Sequence, residues 1–320
     1  VVGSRVLLSV RALIALGLWP IVPTVECETH IAHLDGATIA YWYERAAVPN
    51  AKTLVCVHGW PESKRIFARV VQPFVDAGFN VVVPDLRGFG DSSLGADGFY
   101  DVVTHARDME ALLFSHLSLS SVVLIGGDLG GPVIQEMALR SPERIEKMVL
   151  FNSPLPMDKE RMTGMRTRPP VEVMDYFIRQ GTDADALANE LDTPEKRVAY
   201  IATFYSTRLW AHPGAFDAEE IDWHVEPFRD AGKLRASFIN YESAFDDSKR
   251  TQRPLYGRNT HTPTLILFGT SDHVIYPDFD LMAATVFENH VGPYRIENCG
   301  HFVPWEAPQE LLMRTTEFLR

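Results

Sequence analysis

The feature that most limits what this chain can fold into is one short junction. Val122-Val123-Leu124-Ile125 runs directly into Gly126-Gly127-Asp128-Leu129-Gly130-Gly131, and a helical pattern opens at Pro132. A continuous apolar, β-branched run suits a strand buried on both faces. Turning from such a strand into a helix within so few residues strains the backbone at the apex, and the neighbours there must be small. Asp128, at that apex, is either a helix-capping residue in a glycine-rich turn or a reactive carboxylate displayed above a sheet. The junction alone does not choose between them. A phosphate-binding loop is excluded, because no Gly-Lys-Ser/Thr follows and the spacing G-x-G-x-x-G is absent.

The same kind of apolar run recurs at Thr53-Leu54-Val55-Cys56-Val57, Asn80-Val81-Val82-Val83-Pro84, Lys147-Met148-Val149-Leu150-Phe151 and Thr264-Leu265-Ile266-Leu267-Phe268. Helical spacing fills 67–77, 100–117 (with Asp101 placed to cap) and 132–139, and 30–44 alternates about Asp35-Gly36 as a hairpin does. This alternation implies an α/β fold with a mostly parallel central sheet and helices on both faces. From Asn152 to about Gly257 the strand runs stop. Pro154, Pro156, Pro169 and Pro170 mark an exit from the sheet into a helix-like, aromatic-rich stretch. The expected division is a leader or packed extension over 1–30, a first core part over 31–153, a helical cap over 154–257 and a second core part over 258–320.

Composition narrows the partners. The chain has 320 residues, 46% of them hydrophobic and 22% charged, enough for one large domain with an insertion. A net charge of −12 without a long basic run speaks against nucleic acid. Cys27, Cys56 and Cys299 have no metal or redox spacing. Arg5 and Arg11 flank the start of a short apolar segment over 12–20, too short for a confident membrane span. It is read as a leader packed on the domain. The expected location is cytoplasmic, with export or membrane association left open and no stable membrane insertion.

Three further segments bear on Asp128. His301 lies in Asn298-Cys299-Gly300-His301-Phe302, after the strand-like Tyr294-Arg295-Ile296, where a loop faces the strand ends. Asp272, in Gly269-Thr270-Ser271-Asp272-His273, follows a buried strand on the same edge; the alternative is a turn residue. His273 sits too close to that acid to serve as its base. His58-Gly59-Trp60-Pro61 follows the first buried strand, and a cis peptide before Pro61 would aim the Trp60 N–H at the site. With the Leu129 N–H it would form an oxyanion hole. Arg87-Gly88-Phe89-Gly90-Asp91-Ser92 is read as turn chemistry.

Taken together, from about Ile31 onward the chain resembles the α/β-hydrolase superfamily and, within it, the epoxide hydrolases. His58-Gly59-Trp60-Pro61 looks like their H-G-x-P motif, and Asp128 matches the aspartate of their elbow. Tyr241, in Phe238-Ile239-Asn240-Tyr241-Glu242, resembles one cap tyrosine, and Tyr176, in Met174-Asp175-Tyr176-Phe177, a second. Glu242 stands where the family usually has Arg, and Asn240 where it has an aromatic residue. The resemblance implies that Asp128 attacks a ring carbon, two phenols assist the leaving oxygen, and Asp272-oriented His301 activates water against the resulting ester. Neither a metal nor an organic cofactor is implied, and the expected partner is a small hydrophobic epoxide, with a homodimer possible. Haloalkane dehalogenases share the Asp-His-acid set but commonly place Trp after the nucleophile and Asn at the position of Trp60. Fluoroacetate dehalogenases have Arg and an acid where Leu129 and Asn152 stand. The indole N–H of Trp60 keeps a halide reaction open. A non-catalytic ligand-binding relative would usually lack a triad member.

Overall fold

A computed structural model of the chain describes residues 27–169, 173–259 and 261–320. The apolar segment over 12–20, its arginines and Pro170 lie outside the described residues. Eight strands form one sheet: β1 (Thr29–His33), β2 (Thr38–Glu44), β3 (Thr53–Val57), β4 (Asn80–Pro84), β5 (Val122–Gly127), β6 (Ile145–Phe151), β7 (Thr264–Gly269) and β8 (His290–Ile296). Their order is β1-β2-β4-β3-β5-β6-β7-β8. β2 runs antiparallel to both neighbours, and every pair from β4 to β8 is parallel.

The apolar runs become the inner strands because both their faces are covered. Every residue of β3, β5 and β7 is buried. Each fully buried Val, Leu or Ile contributes roughly 1.5–3 kcal/mol. The covering helices are α1 (Val71–Asp76), α2 (Val102–Glu110), α3 (Gly130–Arg140), α9 (Phe279–Val286), α10 (Val303–Glu306) and α11 (Pro308–Leu319). Asp101 caps α2 by accepting from the N–H groups of Val103 and Thr104, and the helix runs on as a wider turn over Ala111–His116. The helical window 67–77 is interrupted: a short 3₁₀ turn over Lys64–Phe67 precedes α1. Arg87 is consumed structurally, in a bidentate ion pair with buried Asp108.

Among the described residues between β6 and β7 come five α-helices: α4 (Asp175–Thr182), α5 (Ala184–Glu190), α6 (Pro194–Tyr205), α7 (Ala218–Val225) and α8 (Ala231–Phe245). Their starts are written in the sequence. Thr193, Asp217 and Asp230 cap α6, α7 and α8, with a full capping box at Asp217 and Glu220. Among the described residues no helix is long and apolar enough to cross a membrane.

The chain leaves β3 towards β4 on one side and reaches β5 on the other. That reversal of winding opens a crevice at the strand ends. β3, β5, β6, β7 and β8 are consecutive in the sheet, so the loops after Val57, Gly127, Phe151, Gly269 and Ile296 emerge side by side. α3 starts so close to β3 that a Cβ on Gly130 would lie 2.1 Å from the Val57 carbonyl oxygen.

Candidate active site

Asp128 sits at the β5–α3 turn with φ of 43°, a left-handed conformation that costs a non-glycine residue about 1 kcal/mol or more. Two bonds hold the turn: Asp128 N–H donates to the Asn152 carbonyl (2.9 Å), and Gly131 N–H donates to the Asp128 carbonyl (3.0 Å). The side chain is anchored through one oxygen. Trp60 N–H and Leu129 N–H both donate to Oδ1, at 2.7 and 2.6 Å. The Trp60–Pro61 peptide is cis, and Gly59 passes tightly by the turn; a Cβ on Gly59 would lie 2.4 Å from Asp128 Cβ. Oδ2 is left facing His301, whose Nε2 is 3.2 Å away.

His301 is 1% exposed. Its Nδ1 donates to Asp272 Oδ2 at 2.7 Å. Asp272 is itself over-determined: Val274 and Ile275 N–H donate to Oδ1 (2.7 and 3.1 Å), and Asn152 Nδ2 donates to Oδ2 (2.8 Å). Burial pushes the His301 imidazole down, but the Asp272 charge and its bonds to Asp272 and Asp128 outweigh burial and hold it well above the usual histidine value. His273 is exposed and outside this group.

His58 lies beneath the loop. Leu86 N–H donates to its Nε2 (3.0 Å) and its Nδ1 donates to the Gly59 carbonyl (2.8 Å), so it ties the end of β3 to the turn after β4. Burial keeps it below the usual histidine value.

The helical insertion supplies the opposite wall. A cavity of about 330 Å³ is lined by Asp128 and Leu129 from the sheet side, by Met174, Tyr176 and Phe177 from α4 and its approach, and by Asn240 and Tyr241 from α8. The Tyr176 and Tyr241 rings meet edge to face at 5.8 Å, and both pack on the Trp60 indole. Among the described residues neither hydroxyl has a hydrogen-bond partner. Burial, reinforced by neighbours including Asp128, pushes both phenols well above their usual range, so both remain O–H donors. The Trp60 indole N–H is engaged: it donates to Ser237 Oγ at 3.0 Å. Glu242 points away into an ion pair with Arg235.

The structure thus brings Asp128, His301, Asp272, Trp60, Leu129, Tyr176 and Tyr241 into one contiguous group, of which Asp128, Leu129, Tyr176 and Tyr241 line the cavity, with His58, Gly59 and Pro61 in the loop behind. A family model for the alpha/beta hydrolase fold matches residues 52–308. The chain belongs to the α/β-hydrolase fold family. Within that family it is similar to the soluble epoxide hydrolase of Corynebacterium sp. (strain C12), at 29% identity over 294 residues, 91% of this chain and 98% of that protein. It is also similar to bifunctional epoxide hydrolase 2 of Sus scrofa, at 27% identity over 289 residues, 83% of this chain but 51% of that protein, so it spans about half of that relative. The solved structure of epoxide hydrolase CorEH without ligand matches with a TM-score of 0.77 at 26% identity, covering 92% of this chain and 100% of that one.

Three further residues support this group; Glu62 and Glu306 escaped sequence reasoning, and Asn152 entered it only as a position where fluoroacetate dehalogenases carry an acid. Asn152, at the end of β6, lies between the strands that carry Asp128 and Asp272. It donates to Asp272 Oδ2, to Gly269 O and to Gly300 O, and accepts from Gly269 N–H. Glu62 is buried under the loop after β3 and accepts from Gly59 N–H at 2.6 Å. Burial and the nearby Asp128 charge push its carboxyl up to about 8. Glu306 accepts three backbone N–H groups around His301. A short motif signals none of them, because each acts on backbone groups or residues remote in sequence.

Proposed function

We propose that this protein hydrolyses an epoxide to a vicinal diol through a covalent ester on Asp128, with residues 154–257 acting as the cap. The observation that carries this is the pair of unpartnered phenol hydroxyls lining the same cavity as Asp128. An epoxide is a poor electrophile until its oxygen is stabilised, and two aligned O–H donors supply that stabilisation.

In the first step Asp128 Oδ2 bonds to a ring carbon, the C–O bond breaks, and the departing oxygen takes a proton from Tyr176 or Tyr241. The alkoxide is the stronger base, so the transfer runs downhill even from a phenol with a raised pKa. Forming the ester removes the Asp128 charge, one of the influences that raise His301. The imidazole then becomes a competent base. Water adds to Asp128 Cγ while His301 Nε2 takes its proton, and Asp272 stabilises the imidazolium. The oxyanion develops on Oδ1, already held by the Trp60 and Leu129 N–H groups. The tetrahedral species expels the alkyl oxygen, which regains the proton from His301. The carboxyl proton left on Asp128 returns to the phenolate, closing the cycle.

Halide displacement by the same carboxylate needs donors for the leaving ion. The Trp60 indole N–H is spent on Ser237, and Leu129 has an aliphatic side chain. A purely ligand-binding role does not explain a base held over the Asp128 carboxyl. Styrene oxide, an aliphatic epoxide and a haloalkane, each tested with the wild type and Asp128→Ala, separate these chemistries. Diol without halide, lost in the variant, is expected. A single turnover in H₂¹⁸O should place the label in the peptide containing Asp128, since the diol takes its second oxygen from the carboxylate. Halide release, or diol from Asp128→Ala, would overturn the proposal.

A further inference from the structure

The base is carried on a loop, and a loop does not hold an imidazole to a few tenths of an ångström without help. Three consecutive peptide N–H groups surround it, and all are bound. Gly300 N–H donates to Glu306 Oε2 (2.7 Å), His301 N–H donates to the Trp210 carbonyl (2.8 Å), and Phe302 N–H donates to Glu306 Oε1 (2.8 Å). Glu306 Oε2 also accepts from His212 N–H at 2.8 Å. Residues 210 and 212 belong to the helical insertion, between α6 and α7, so one carboxylate ties the base loop to the insertion. The Trp210 ring closes the arrangement, packing edge-on against the His301 imidazole at 4.8 Å.

The bond from Phe302 N–H caps the start of α10, but those from Gly300 and His212 reach beyond that helix. No lysine, arginine or histidine among the described residues forms an ion pair with Glu306, and burying an unpaired charge is costly unless hydrogen bonds replace its water. Its two oxygens serve three N–H groups, a valence that a neutral amide side chain cannot match. Turned either way, a glutamine would set its NH₂ against at least one peptide N–H.

We propose that Glu306 is a positioning residue for the hydrolytic half-reaction, clamping the Gly300-His301-Phe302 backbone and the insertion loop at His212 so that Nε2 stays aligned on Asp128 Cγ. It touches no reacting atom. The inference rests on the two-step reaction proposed above and gives that reaction a kinetic signature. Alkylation uses Asp128 and the tyrosines; only hydrolysis uses His301. Loosening the clamp slows the second step alone, and small misplacements of a catalytic group cost up to about 10²-fold. When hydrolysis limits turnover, kcat and KM fall by the same factor while kcat/KM, set by alkylation, is unchanged.

The experiment compares the wild type, Glu306→Ala, Glu306→Gln and His301→Gln with styrene oxide, reading steady-state constants and the ester by intact mass after rapid quench. Glu306→Ala should lower kcat and KM together, about 10–10²-fold, with the ester accumulating. Glu306→Gln, which fills the same space and keeps part of the clamp, should fall between it and the wild type. A fall in kcat at constant KM, with no accumulated ester in either Glu306 variant, would mean a lost active fraction and would overturn the clamp. Because His301→Gln should trap the ester regardless of Glu306, its failure to do so would remove the two-step reading itself, and the clamp with it.

Discussion

Asp128 Oδ1 receives two peptide N–H groups within 2.7 Å, whereas the hydroxyls of Tyr176 and Tyr241, across the same cavity, make no hydrogen bond to any described residue. The sheet wall is saturated: Asp272 holds four donors and Asn152 ties three loops together. The insertion wall is an aromatic cluster with two donors held in reserve. Saturation fixes geometry in advance, so stabilising a developing charge there costs no reorganisation. Unmet hydrogen-bonding capacity does the opposite. It marks where an atom from outside completes the set.

Breaking the sheet wall should have the larger effect. His301→Gln is expected to cut turnover by about 10²–10⁴-fold, and Asp272→Asn to do likewise by stabilising the wrong tautomer, both leaving ester formation intact. Equal losses in ester formation and in turnover would show that the base is needed earlier. The insertion wall is sharpened by Tyr241→Phe and Tyr176→Phe. Each should lower kcat/KM about 10²-fold with little ester accumulating, the reverse of the His301 pattern. If one substitution is silent, ring opening relies on a single phenol. The last effect is on stability rather than turnover and concerns Glu62. Folding favours its protonated form, because its value of about 8 lies above the ordinary carboxyl value of 4.5. The stability this confers is complete below 4.5 and is lost as pH rises to about 8. Wild-type and Glu62→Gln unfolding free energies should therefore agree in acid and diverge towards pH 8, with the variant the more stable by a few kcal/mol. Parallel curves across that range would show that Glu62 does not titrate there.

What was legible in the sequence follows the same division. The inner strands, the turn at Asp128 and the loops at Asp272 and His301 are local patterns: each is an apolar run followed by small or polar residues at the strand's end. Adjacency of the loops then followed from the parallel winding. The tyrosines were less legible from pattern alone, because an aromatic in a helical insertion reads equally as packing. Only the edge-to-face meeting of two rings 65 positions apart in sequence shows that they share a cavity. Glu62 and Glu306 carried no signal, since their partners are mostly backbone groups, which every sequence supplies equally; Asn152 showed only as a departure from an acid, not as the tie between loops. The departures at Asn240 and Glu242 also divide in space. Asn240 lines the cavity, while Glu242 faces Arg235 and touches nothing in the site.

The two donors on Asp128 Oδ1 are peptide groups, and this sets how the protein can drift under mutation. Any residue but proline at positions 60 and 129 still presents an N–H. A genetic scan for loss of function would therefore pass over this pair and register the Trp60 ring, which bears on both tyrosines. If the two phenols act as proposed, variation that changes what the enzyme accepts has its freest range in the insertion, where side chains line the cavity and each can be exchanged one codon at a time.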